Sequence, residues 1–291
     1  MTLTAILLPM LLQAIPDPSN MTVPDYSAEV QDRPPRSSSI IDAPEDSGWL
    51  GECLEQIEEE PSRAHVQAQI RRDTTSGDDR VLANHCLGLA ATELGRWEEA
   101  RAAFTAARQE TPESDARLRA RFGAMAGNAA LVTGDTAGAL DLLDAARADA
   151  IAAMAGTLQA LIALDRAHAL VESGDLEAAE VALAEARTLQ PEDAETRLLS
   201  ATLLRRLDRL EEAQEQIEEA ARLAPLEPSI GLEAGVIAML SGREEAARSS
   251  WLSVTAMAPG SPEAATAQSY LDQIGPAPAP PAPTAAEAPQ P

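Results

Sequence analysis

Residues 87–112 read LGLAATELGRWEEARAAFTAARQETP, from Leu87 to Pro112. Two apolar-periodic segments flank a short turn at Gly95, and a proline closes the unit. Nearly the same unit returns, with drift, four more times. Aligned on the turn residues Gly95, Gly134, Gly174, Asp208 and Gly242, successive units are spaced by 39, 40, 34 and 34 residues. Five residues after each turn stands Ala100, Ala139, Ala179, Ala213 or Ala247. Seven before it stands a small residue: Gly88, Gly127, Ala167, Ala201 or Gly235. Nine after it comes a large one: Phe104, Leu143, Leu183, Ile217 or Trp251. Pro112, Pro191, Pro225 and Pro259 close four units, and Ile151 stands at the equivalent place in the second.

Each position has a mechanical reason. The turn asks for a left-handed backbone, which glycine accepts and aspartate tolerates. Small residues let two antiparallel helices approach, and the large residue fills the space beside them. Proline ends one helix and lets the next begin. Composition agrees with helices. Hydrophobic residues make up 45% of the chain but aromatics only 2%, so alanine and leucine carry the apolar content, which suits close-packed helices and not strands. An all-α chain is expected.

These residues resemble the tetratricopeptide repeat, whose pattern includes a Leu-Gly pair, a later Ala-x-x-x-Phe and a closing proline. Leu87-Gly88, Ala100 with Phe104, and Pro112 match it directly. Where the family usually carries tryptophan and tyrosine in the first helix, Asn84 and Ala91 stand, and slimmer packing is expected in this unit. The resemblance covers about residues 80–260 and implies a right-handed superhelical α-solenoid of five tandem helix-turn-helix repeats. The first two spacings exceed 34, so longer helices or looser connections are expected there.

The flanks read differently. Residues 1–14, MTLTAILLPMLLQA, are apolar but too short to span a bilayer as a helix, and they read as a signal peptide cleaved before Ile15. The positively charged start of such a peptide is missing; the other reading is an apolar tip without a targeting role. Residues 15–46 are rich in proline, serine and acids, as a disordered linker is. Residues 47–79 read as an N-terminal helical cap or degenerate repeat. One stripe of it carries Leu50, Cys53, Leu54 and Ile57, and a second segment starting at Pro61 carries Val66 and Ile70. Residues 261–275 read as a C-terminal capping helix, with Ser261 as N-cap and Pro262 in the first turn. Residues 276–291 form a disordered proline- and alanine-rich tail.

Charge narrows the partners. The net charge is −25, and every basic residue is arginine, so phosphate backbones and anionic membrane surfaces are repelled. Basic or apolar protein segments remain as partners. No membrane span is expected in the mature chain, and the location expected is the periplasm or cell envelope, or the cytoplasm if residues 1–14 are not a signal. His65, His85 and His168 lie at no metal-binding spacing, and no phosphate loop or nucleophile motif is present. Catalysis, metals and cofactors are therefore not expected.

In arrays of the resembled kind, Cys53 on the leading helix and Cys86 on the first helix of unit one stack against each other. They are either a disulfide closing about 34 residues or two buried thiols. The resemblance also implies that the first helix of each unit lines a concave groove. Its candidate lining is Asn128, His168, Thr202 and Arg205, with Leu164, Leu198 and Leu232 as apolar points. The lysine-based grip on a peptide carboxylate known in this family does not fit a chain without lysine. The expected function is a non-catalytic scaffold that binds a peptide or partner helix in that groove. The alternative is an assembly protein that self-associates through the ends of its array.

Overall fold

A computed structural model describes residues 48–276. The expectations for residues 1–14, 15–46 and the tail beyond Pro276 lie outside the described residues. Among those described there are thirteen helices and no strand. They are α1 (Gly48–Glu59), α2 (Pro61–Thr74), α3 (Asp78–Glu93), α4 (Trp97–Glu110), α5 (Ala116–Val132), α6 (Thr136–Ala152) and α7 (Gly156–Ser173). There follow α8 (Leu176–Leu189), α9 (Ala194–Arg206), α10 (Leu210–Leu223), α11 (Pro228–Leu240), α12 (Glu244–Met257) and α13 (Pro262–Ile274). The helices divide after Ala224 into two units, α1–α10 and α11–α13.

Five hairpins, α3/α4 to α11/α12, share one turn. Gly95, Gly134, Gly174, Asp208 and Gly242 take φ of 68°, 78°, 84°, 59° and 73°. The residue after each donates its N–H to the carbonyl five residues back: Arg96 to Ala91, Asp135 to Ala130, Asp175 to Leu170, Arg209 to Leu204 and Arg243 to Ala238. This left-handed closure satisfies carbonyls that a helix end leaves orphaned. A sixth instance appears where the closing proline is missing. Helix α6 runs past Ile151, Met154 takes φ 51°, and Ala155 N–H bonds the Ala150 carbonyl. The helices in this stretch also account for the wider spacing. Helices α5, α6 and α7 have 17, 17 and 18 residues, against 14 and 13 for α8 and α9.

Within each hairpin the small residue before the turn lies against the large one after it. A Cβ on Gly127 would stand 2.7 Å from Leu143 Cγ, and one on Gly88 would collide with the Phe104 ring. Where the large residue is Leu183 or Ile217, an alanine is accommodated instead, and Ala167 and Ala201 are fully buried. Alanine at the first turn of each second helix, such as Ala100, is buried throughout, as is the third-turn residue, which is alanine in all but α12, where Val254 stands. Close approach of helix axes therefore supplies the core, with few large side chains.

In the leading pair α1 buries its expected stripe, but α2 packs with a different face from the one its sequence suggests. Val66 and Ile70 are 52% and 60% exposed, whereas Ala64, His65 and Ala68 are buried. Alanine permits α2 to come close to α3, and the branched residues are left outward. The cluster beneath contains Leu50, Cys53, Ile57, Cys86 and Leu87, and Cys53 and Cys86 are bridged with Cα atoms 6.2 Å apart. In the unit α11–α13, Trp251 and Tyr270 stack with ring centroids 5.0 Å apart, and the indole N–H donates to the Leu232 carbonyl at 3.2 Å.

Candidate partner-binding face

The first helices of successive hairpins in the unit α1–α10 meet side by side at a polar link. Asn128 Nδ2 on α5 donates to Asp165 Oδ2 on α7 at 3.0 Å. Asn128 stands six residues before its turn and Asp165 nine before the next, so the two neighbouring first helices meet three residues out of register. His168 follows one turn after Leu164 on α7, and Leu198, Thr202 and Arg205 lie on α9, all four of these half-buried apart from the fully buried Leu164. Asn128, Asp165, His168, Leu198, Thr202 and Arg205 thus combine amide, carboxylate, imidazole, hydroxyl, guanidinium and aliphatic groups on successive first helices. Such a set can hydrogen-bond a peptide main chain and cover an apolar side chain at once.

Two of the expected lining residues belong elsewhere. Leu164 is 1% exposed and packs in the core with Ala163, Ala167, Leu183 and Leu203. Leu232 is 2% exposed, and its carbonyl accepts the Trp251 indole proton in the unit α11–α13. Around Leu164 the alanines draw the helices together until a position at the flank of the buried stripe is enclosed. His85, at the same register in unit one, is also enclosed, edge-on to Phe122 at 5.0 Å between centroids. Burial, with Arg121 adding to it, lowers its pKa from 6.5 to about 4, so the imidazole is neutral.

The second helices are tied together by a ladder of charge pairs. Arg101 Nη1 on α4 donates to Asp135 Oδ2 at 2.7 Å, and Asp135 also accepts the Gly138 N–H at 3.0 Å as N-cap of α6. The Gly138 N–H, and then Arg101, hold that carboxyl below the usual carboxylate range. Further along, Arg108 on α4 pairs with Asp149 on α6 at 2.7 Å, and Arg147 on α6 pairs with Glu185 on α8 at 2.9 Å. His65 on α2 is 2.9 Å from Glu99 on α4, and this hydrogen bond lowers the Glu99 pKa. A signal for these pairs existed in the sequence. Arg108 and Arg147 each stand thirteen residues after a turn, whereas Arg187, at the same place in the third unit, pairs within α8 with Glu180 at 3.1 Å.

Among the described residues no cluster of three acidic, histidine or cysteine side chains could hold a metal ion, and no helix is long and apolar enough to cross a membrane. Tandem hairpins closed by a shared left-handed turn define an α-solenoid repeat protein. A sequence model of the tetratricopeptide repeat family matches residues 164–213 and 198–262. The matched stretch, residues 164–262, carries tetratricopeptide repeats. No curated protein matches its sequence. Among solved structures, it is similar to pilF of Pseudomonas aeruginosa at 16% identity and a TM-score of 0.58, over 77% of this chain and 96% of that one. It is similar to MamA of Desulfovibrio magneticus RS-1 at 16% identity and 0.55, over 64% and 100%. It is also similar to YrrB, described as a TPR protein with an unusual peptide-binding site, at 19% identity and 0.51, over 65% and 92%. At these identities the likeness is one of fold.

Proposed function

We propose that this chain is a non-catalytic scaffold that holds a peptide or partner helix against the first helices α5, α7 and α9. The observation that carries this reading is the Asn128–Asp165 link between the first helices α5 and α7, with Leu198, Thr202 and Arg205 half-buried on the next first helix, α9. The peptide-binding description of YrrB, a protein of the same fold, supports it. Leu198→Glu places a charge on this face without entering the core. Affinity capture from the native compartment should recover a partner with the wild-type chain and lose it with Leu198→Glu at unchanged helicity. Undiminished capture by the variant would remove this face from consideration.

A second reading has its own observation. Val66 and Ile70 are exposed one turn apart on α2, in the leading helix pair, as a self-associating end would need. Sedimentation of the full chain and of Val66→Ser/Ile70→Ser separates the two readings: a mass that rises with concentration only in the wild type favours assembly. Export to a cell envelope belongs to the same proposal, supported by the Cys53–Cys86 bridge and the apolar run at residues 1–14.

A further inference from the structure

A cavity of about 420 Å³ opens between α2, α3 and α4, and it shares no residue with the face above. One wall is apolar, made of Leu87, Ala103 and Ala106. Asn84 also lines it, is 1% exposed, and has neither its amide nitrogen nor its amide oxygen bonded to any group of the protein. Leaving both ends of a buried amide unmade is unfavourable, because each gives up water without a replacement partner. Packing alone does not ask for this residue. At the same register, eleven before the turn, other hairpins carry Gly123, Ala163 and Gly231, which lie flat against the second helix; Arg197, in the fourth, reaches Gln216 at 2.8 Å. Among these five hairpins the first alone sets a short neutral donor–acceptor pair there, and in it that position lines the cavity.

The rim fixes the sign of the ligand. Arg72 is paired with Asp73 at 3.0 Å, Arg80 with Glu110 at 3.1 Å, and His65 with Glu99 at 2.9 Å. Each charge at the mouth is already answered, so the site offers no surplus to an anion or a cation. A neutral group that returns both a donor and an acceptor to Asn84 is an amide. We infer that this cavity is a binding site for a peptide segment that inserts a carboxamide side chain, glutamine or asparagine, against Asn84. The volume lies within the range of small-ligand pockets and leaves room for the flanking main chain.

The test uses the full chain labelled with ¹⁵N and the probe acetyl-Gly-Gln-Gly-N-methylamide. Millimolar probe should shift the Asn84 side-chain amide resonances saturably. The Glu and Leu analogues, which match in size but return only one partner or none, should leave them in place. Equal shifts from the Leu analogue, or none from the Gln probe, would overturn the proposal. A triglycine analogue that shifts them as strongly would overturn the side-chain assignment in favour of main-chain amides. Asn84→Leu should weaken probe binding at least tenfold. Ala106→Phe, which fills the cavity and leaves Asn84 untouched, should do the same, and unchanged binding by that variant would equally refute the site.

Discussion

The indole of Trp251 lies directly on the bare α-carbon of Gly235, so that a Cβ built there would penetrate the ring at Nε1 and Cδ1. The same ring is held from behind by Tyr270 and from below by the Leu232 carbonyl, and it has no route of retreat. Gly235→Ala should therefore destabilise by about 1–3 kcal/mol, as overpacking of a filled core does. Gly235→Ala/Trp251→Ile rebuilds the Ala201–Ile217 pairing of the preceding hairpin. In a double-mutant cycle read by denaturant midpoints, the two changes should couple favourably; simple additivity would mean the contact is not the one that matters.

The bridge between Cys53 and Cys86 spans a sequence separation of 33 residues. Closing a loop of that length restricts the unfolded chain by roughly 3–4 kcal/mol. Protein purified from its own compartment and unfolded without reductant should show no reactive thiol. Cys53→Ala/Cys86→Ala should lose stability of that order, and an undiminished midpoint would show that the link contributes nothing.

His85 gives stability a pH dependence whose sign is fixed by its environment. Its folded pKa of about 4 lies below the unfolded value of 6.5, so the unfolded chain takes up the proton first as pH falls. The contribution is complete above about pH 6.5 and is lost between there and about pH 4, reaching on the order of 3 kcal/mol. Urea midpoints measured across that window should fall more steeply for the wild type than for His85→Gln. Parallel curves would exclude the imidazole as the cause.

Asp149 is shared by two guanidiniums, with Arg108 at 2.7 Å and Arg119 at 3.5 Å, and all three side chains are at most one-fifth exposed. Asp149→Ala takes the carboxylate from both cations, leaving Arg119 only the Arg108 and Thr111 carbonyls, and should destabilise by about 1–3 kcal/mol. The Arg222–Glu219 pair, on one exposed helix face, is different in kind. Glu219→Ala should leave the thermal midpoint where it was. A comparable fall for both would mean that position along the ladder is irrelevant.

What the sequence made legible was whatever repeats within one hairpin. The turn at Gly95 and its equivalents, the Gly88–Phe104 type of pairing and the buried Ala100 series follow from local geometry, and periodicity exposes them. Contacts between hairpins were harder to see. Leu164 and Leu232 share a register with the half-buried Leu198, yet the alanines about Leu164 and the Trp251 indole at Leu232 enclose that register in their own hairpins. Val66 and Ile70 look like a core stripe until Ala64 and Ala68 bring the opposite face into the core. Asn84 was visible as a departure from the family pattern, but its unpaired amide emerges only when α2, α3 and α4 are placed together. The Arg–acid ladder pairs residues 34 to 41 positions apart, a distance at which the changing helix lengths of α5–α7 blur any fixed spacing.

A linear stack of hairpins melts from its ends, because a terminal unit has a neighbour on one side only. In the unit α1–α10 the covalent link falls on the terminal pair itself, joining α1 to α3 across α2. The leading edge is thereby hemmed, and α1 cannot peel away without carrying α3, and with it the first full repeat, along. Fraying at α1 is therefore made as costly as opening the cavity-bearing hairpin itself.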